Sequence, residues 1–288
     1  MTLRDVLERL TDERVDVSGG FILDLAAAVE WHAKANGQVP VTDLDASQIR
    51  AMMRLMVKAG RMSRTVNNYR YNVLHLWRAA RRYGWTAQPL PDKDQCPKLK
   101  VPQRAPTAWS PEEMKRIVAQ CRNVRVRRGW GPYHWEALVA TIYDTSLRIG
   151  ALMKCPRSAF QQHEKRLHIP GEFHKSKRDT VHSLHPTTCD LLTTLWRPHG
   201  DSRLFPWPWH EDEIWRKFRA IVVAAGLAST HRDMFHKIRR TSYTYVYVAY
   251  GQQAASEHAS HTEDLSRFYL DQSFLPKPNP LDALPRIA

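Results

Sequence analysis

Cysteine is scarce: four in 288 residues, at positions 96, 121, 155 and 189, scattered and with no Cys-x-x-Cys pair. That argues against a structural zinc site and against a disulfide framework. No apolar run reaches bilayer-spanning length, and the N-terminus carries no apolar signal core. Neither a membrane protein nor an exported one is therefore expected, and a soluble, reducing compartment fits. Internal repeats and long low-complexity tracts are also missing.

What the chain has in excess is positive charge. Lys and Arg number 43 against 29 Asp and Glu, a net charge of +14 with a pI near 9.8. Polyanions are the expected partners. Of these, 17 basic and 11 acidic residues precede residue 107, so both parts of the chain are basic. That distribution suits two lobes closing on one duplex better than a globule with a single basic tail. The length favours two domains, and 43% hydrophobic residues is enough for ordinary cores.

Residues 1–88 read as helical. Leu3, Val6, Leu7 and Leu10 open with helical spacing, and Phe21, Leu25, Ala28, Val29 and Trp31 form a second apolar set ending at Gly37 and Pro40. Asp45 or Ser47 is placed to cap a third helix containing Ile49, Met52, Met53 and Met56, with Gly60 as its stop. Ser63 is placed to cap a fourth, in which Val66, Tyr69, Val73, Trp77 and Ala80 recur at three- and four-residue steps. Its other face carries Arg64, Arg70, Arg78, Arg81 and Arg82, a row expected to lie along phosphates. Residues 89–107 read as a linker: prolines prevent a helix, and Lys98, Lys100 and Arg104 would let it lie on DNA. Ser110-Pro111-Glu112-Glu113 then forms a capping box that starts the next domain, 108–271.

In that second domain, Leu138 and Ile142 mark a helix running into Thr145-Ser146-Leu147-Arg148-Ile149-Gly150. Leu167, Ile169, Val181 and Leu184 flank a polar run, His174 to Asp179, as in a hairpin with a charged tip. Residues 186–197 and 211–225 read as helices, joined by an aromatic, proline-rich core plug at 204–209. His236 and Arg239 lie three apart, on one helix face. That helix continues through Tyr243, Tyr245, Tyr247 and Tyr250. Beyond a break at Gly251 come His258, His261 and Tyr269.

Arg forks bind phosphate oxygens bidentately, and a phenol is a competent nucleophile when cations hold its phenolate. In this order, Leu147-Arg148-Ile149-Gly150, a hairpin lysine, His236-x-x-Arg239, a second histidine and Ser266-Arg267-Phe268-Tyr269 resemble the signature of the tyrosine recombinases, the phage-integrase family. The resemblance implies a mainly α fold with a small β-hairpin or sheet. It would hold a helical SAM-like core-binding domain and an α+β catalytic domain. It implies Arg148, Lys175, His236, Arg239, His261 and Tyr269 as the catalytic set, with Lys177 and His258 as alternates. The chemistry implied is DNA cleavage and rejoining through a 3′-phosphotyrosyl link, without ATP, metal or other cofactor. Arg148 and Arg239 would clamp the phosphate, His261 would donate to it, His236 would act as base and Lys175 as acid.

The chain departs from the pattern in three places. Ser146 stands where many relatives have glycine, Ala151 replaces an acidic residue, and Glu257-His258-Ala259-Ser260-His261 replaces the usual Leu-Gly-His. These departures keep open a catalytically impaired DNA-binding protein on the same fold, and a type IB topoisomerase-like activity is a further alternative. The implied partner is double-stranded DNA, bound as a homo-tetramer with a monomer free in solution. The expected location is cytoplasmic and nucleoid-associated. The tail, 272–288, is expected to pack on a neighbouring protomer.

Overall fold

The structure is a computed structural model that describes residues 1–13, 18–173, 177–195, 200–210, 212–230 and 234–275. The chain divides into two compact units, Met1–Gln103 and Arg104–Ala288. Residues 174–176, Lys175 among them, and the tail from 276 onward lie outside the described residues.

The first unit contains α1 (Leu3–Glu13), α2 (Gly19–Asn36), α3 (Ala46–Lys58) and α4 (Ser63–Arg82). Asp45, not Ser47, caps α3: its carboxylate accepts from the Gln48 N–H while the Gln48 side chain returns to the Asp45 N–H. Ser63 is the first residue of α4 rather than its cap, which is Met62 with no side-chain bond. Leu3, Val6, Leu25, Ile49, Met52, Val66 and Trp77 meet in one core. Phe21 and Trp31 pack against that core from its edge instead of entering it.

Two expectations for this unit need correction. Arg70 does not belong to the exposed basic row. It is 7% exposed, and its Nε donates to the Cys96 carbonyl at 2.7 Å. Arg64, Arg78, Arg81 and Arg82 are exposed, as are Lys98, Lys100 and Arg104. The proline-rich segment is not helical, but much of it is fastened down. Cys96 is fully buried, and the Asn67 side chain both donates to and accepts from the Leu99 backbone at 2.9 Å. The first compact unit accordingly runs on to Gln103.

The second unit is built round α6 (Pro132–Thr145), whose residues are buried on nearly every side. It is joined by α5 (Pro111–Arg122), α7 (Ile149–Lys154), α8 (Pro186–Thr194), α9 (Glu213–Ala224) and α10 (Phe235–His258). Buried Glu136 on α6 is neutralised by Arg122 of α5, whose Nε donates to it at 3.0 Å. A small antiparallel sheet carries β1 (Phe160–Gln161), β2 (Arg166–Ile169) and β3 (Thr180–Ser183) in that order. Leu167 pairs with His182 and Ile169 with Thr180. The 204–209 stretch is indeed core: Trp207 meets Trp130 edge-on at 4.9 Å and Trp135 at 5.6 Å. α10 lies along α6 and bends at Gly251, whose φ of 84° no other residue type adopts cheaply.

Candidate functional site

Arg148 reaches its place through a tight turn. Ser146 ends α6 in the left-handed conformation, φ 52°, and its N–H still bonds to the Ile142 carbonyl. Leu147 then plugs the core, and Arg148 becomes the N-cap residue of α7, its carbonyl accepting from Ala151 and Leu152 at 3.0 and 3.2 Å. The Arg148 side chain is half-buried. Ala151 is buried and offers a methyl group where a carboxylate was the family expectation.

Arg239 sits at the centre of the arrangement. It is 2% exposed, with Nη1 donating to the Ser146 carbonyl and Nη2 to the Ala259 carbonyl at 2.5 Å. The Ser146 hydroxyl donates back to the Arg239 carbonyl at 3.1 Å. Burial pulls the Arg239 guanidinium down to about 10, with Tyr269 opposing the fall and Arg148 adding to it; at neutral pH it remains charged. His236, three residues earlier, sits about 60° round the helix. It therefore lies at the rim with an open face. Desolvation and the neighbouring Arg239, Arg240 and Arg148 charges still hold it below the ordinary histidine value, so it is a neutral ring able to take a proton.

After α10 the chain turns at Ser260, again left-handed with φ 50°. That conformation is the one glycine favours, and Ser260 adopts it directly before His261. His261 emerges from it against Tyr269, ring centroids 4.7 Å apart, and against Tyr243 at 5.1 Å. His261 Nδ1 faces the Thr262 carbonyl at 2.8 Å, which only an N–H satisfies. In the neutral ring Nε2 is then a bare acceptor, and it donates only once protonated. Desolvation lowers the His261 value, the Thr262 bond opposes, and the Arg239 and Arg148 charges lower it further. His258 faces elsewhere: its Nε2 pairs with the Ser242 hydroxyl at 2.7 Å, and burial, then Arg239, brings it down to about 4.

Tyr269 is half-buried, with the Arg239 guanidinium carbon 5.0 Å from its ring centroid. Of the α10 tyrosines, Tyr243 is buried and bonded to Ser266 at 2.6 Å, Tyr245 donates to the Trp109 carbonyl at 3.2 Å, and Tyr250 is 78% exposed. The structure thus gathers Arg148, His236, Arg239, His261 and Tyr269. Two buried nitrogens of this group, Arg239 Nε and His261 Nε2, have no hydrogen-bond partner among the described residues. Lys177 is exposed at φ 55°. The hairpin shoulder is closed beside it, where the Gly171 N–H donates to Asp179 at 2.7 Å and a Cβ on Gly171 would meet the Lys177 backbone at 2.9 Å. A cleft of about 790 Å³ separates Arg178, Asp179 and Thr180 from the Ser260–Glu263 turn.

No protein-family model matches the sequence, and no curated protein does. Solved structures do. A lambda integrase dimer bound to a COC′ core site superposes with a TM-score of 0.75 at 15% identity, over 97% of this chain and 99% of that one. The Tn1549 transposon integrase in complex with a circular intermediate DNA gives 0.73 at 12%, over 94% and 95%. A lambda integrase tetramer bound to a Holliday junction gives 0.74 at 14%, over 97% and 80%. The chain has the fold of the tyrosine recombinases. Among the described residues no helix is long and apolar enough to cross a membrane.

Proposed function

We propose that the chain is a site-specific DNA recombinase, an integrase-type enzyme that cleaves and rejoins duplex DNA through a phosphotyrosyl bond to Tyr269. The observation that carries this reading is the pair of unpartnered buried nitrogens, Arg239 Nε and His261 Nε2, beside a phenol. A buried polar atom left unpaired is unfavourable by about 1–3 kcal/mol, which an incoming phosphate oxygen would relieve at Arg239 Nε directly and at His261 Nε2 once that ring is protonated.

Arg148 and Arg239 hold the non-bridging oxygens, and preorganised donors of this kind are worth on the order of 100- to 1000-fold in rate. The phosphate's negative charge favours protonation of His261, turning Nε2 from acceptor to donor. His236, neutral at the rim, takes the proton of Tyr269 as the phenol attacks phosphorus. The P–O5′ bond breaks, and the proton for the leaving oxygen comes from the hairpin lysine, Lys175, or Lys177 in its place. A 5′ hydroxyl then reverses the step, so neither ATP nor a metal ion enters the scheme. Duplex binding would come chiefly from phosphate contacts of the exposed Arg and Lys, and assembly would be as a homo-tetramer on two sites.

A suicide substrate nicked next to the scissile phosphate tests the reading. Wild type should accumulate a covalent protein–DNA adduct, and Tyr269→Phe should form none. A second reading rests on Ala151, whose buried methyl leaves Arg148 without the carboxylate that the family places there. On that reading the protein binds DNA with the same salt dependence and yields no adduct from either chain. Relaxation of supercoiled DNA without exchange between sites would indicate topoisomerase-like use of the same centre.

A further inference from the structure

Asp271, two residues beyond Tyr269, carries no role in the scheme above, yet it is 8% exposed and charged. Its Oδ2 accepts from the Ala108 backbone N–H at 2.7 Å. Its Oδ1 accepts from the Ser273 N–H at 3.0 Å and the Ser273 hydroxyl at 2.6 Å, and its own N–H donates to the Thr244 hydroxyl at 3.1 Å. Burial pushes the carboxyl up, but the Ser273 and Ala108 bonds and the Lys237 charge outweigh it and hold the group below its usual range. The segment it grips is fixed in turn. The Trp109 N–H donates to Thr241 at 2.8 Å, and the Trp109 carbonyl accepts from Tyr245. Residues 108–109 enter the second unit and are thereby stitched both to α10, which bears Arg239, and to the stretch that follows the phenol.

We infer that Asp271 is a positioning residue that latches the Tyr269 segment to the backbone at Ala108 and so keeps the phenol under Arg239. The inference rests on the function proposed above. Two extended residues span at most about 7 Å, so with Asp271 held the Tyr269 backbone moves no farther than that from its anchor. Residues Glu263–Phe268 form a 3₁₀ turn with no fully buried residue; besides the carboxylate, the segment is tied by the Tyr269 and Leu270 N–H bonds to Ser266, the Tyr243–Ser266 hydroxyl bond, the Thr244 hydroxyl and the packing of Leu270 against Tyr243. A carboxylate reaching a backbone 163 residues away is the strong attachment.

The test uses the full chain and the same suicide substrate. Asp271→Ala should slow single-turnover adduct formation at least about tenfold, the equivalent of about 1.4 kcal/mol, with DNA affinity unchanged within about twofold. Asp271→Asn, which keeps an oxygen for the Ala108 N–H, should recover part of the rate. Ala108→Pro removes the donor and leaves the carboxylate in place, so it should slow the step comparably. The double variant should be no slower than the slower single, because both changes break one interaction. Wild-type rates, or effects that multiply in the double variant, overturn the latch. Should Asp271→Ala fail to fold, Ala108→Pro alone decides. Hydrogen exchange at the Tyr269 and Leu270 amides is the second readout and needs no cleavage. It should quicken in Asp271→Ala and Ala108→Pro, and unchanged exchange overturns the latch. Failure of wild type to form an adduct instead removes the proposed function, and the exchange result still judges the latch.

Discussion

Arg239→Lys separates a positive charge from a held fork. The wild-type guanidinium gives Nη1 to Ser146 and Nη2 to Ala259, leaving Nε for an incoming anion. A lysine keeps the charge on one nitrogen at the end of a flexible stem. Held in place it satisfies one of the two carbonyls, so one charge-assisted bond is lost, a loss of about 1.5–3 kcal/mol. The ammonium also sits where the guanidinium plane lay and presents no second fork to the phosphate. We expect unfolding free energy to drop by about 2 kcal/mol. Denaturant titration read by fluorescence of the Trp130, Trp135 and Trp207 cluster, in the same unit as Arg239, measures it. Adduct formation on the suicide substrate should fall on the order of 100- to 1000-fold. DNA affinity at fixed salt should stay near wild type, since net charge is unchanged. An adduct rate within tenfold of wild type would show that charge alone suffices, and the account of Arg239 as a rigid clamp would be wrong.

Other outcomes follow from single residues. Arg70→Ala should lower stability by about 1.5–3 kcal/mol through the lost Cys96 bond and leave the salt dependence of DNA binding unchanged, whereas Arg81→Ala should weaken binding and reduce the salt slope by about 1; the reverse pattern would return Arg70 to the phosphate row. Ser260→Gly should raise the melting temperature, gaining about 0.5–1 kcal/mol once the left-handed strain of serine is set against the extra backbone entropy of glycine, and a lower melting temperature would contradict it. His32, 3% exposed and brought down to about 4 by burial, binds its proton more readily in the unfolded chain. Stability of the first unit should therefore fall by roughly 3 kcal/mol as pH drops from 6.5 to about 4, and stay level above that window. Hydrogen exchange in Gly19–Asn36 reports it, and His32→Met should flatten the profile.

Much of the fold was written in periodicity. Ile49, Met52, Met53 and Met56 announced α3 and its buried face, and Ser110 to Glu113 announced the start of α5. Arg70 shows where reading residue by type misleads. It lies four after Val66 and seven before Trp77, on the apolar stripe of α4, so its spacing already placed it inward even though its charge pointed to DNA. The cation found a buried carbonyl because the proline-rich segment folds back over that face, which no local pattern states. Asp271 was invisible for the same reason, its partner being 163 residues away.

The site was legible in its side chains and not in what holds them. Motif order nominated Arg239, but a motif names only side chains, and two of this guanidinium's bonds go to main-chain oxygens at Ser146 and Ala259. Both oxygens are delivered by turns with a left-handed residue, Ser146 itself and Ser260 next to Ala259. Glycine advertises such a turn and serine conceals it, so the two departures that cast doubt on catalysis in the sequence turn out to occupy the backbone conformation a glycine would have supplied. The same turn sets the two histidines apart: with Ser260 in the glycine-like position, His261 follows it directly and lies against Tyr269, while His258 falls back within α10 onto Ser242, which favours His261 in the role proposed above. Of the three departures only Ala151 leaves a chemical deficit, because a buried methyl cannot do what a carboxylate would beside Arg148. Ala151→Glu is therefore the substitution expected to raise the adduct rate above wild type, and an unchanged rate in a folded variant would mean that Arg148 is held well enough by its N-cap position alone.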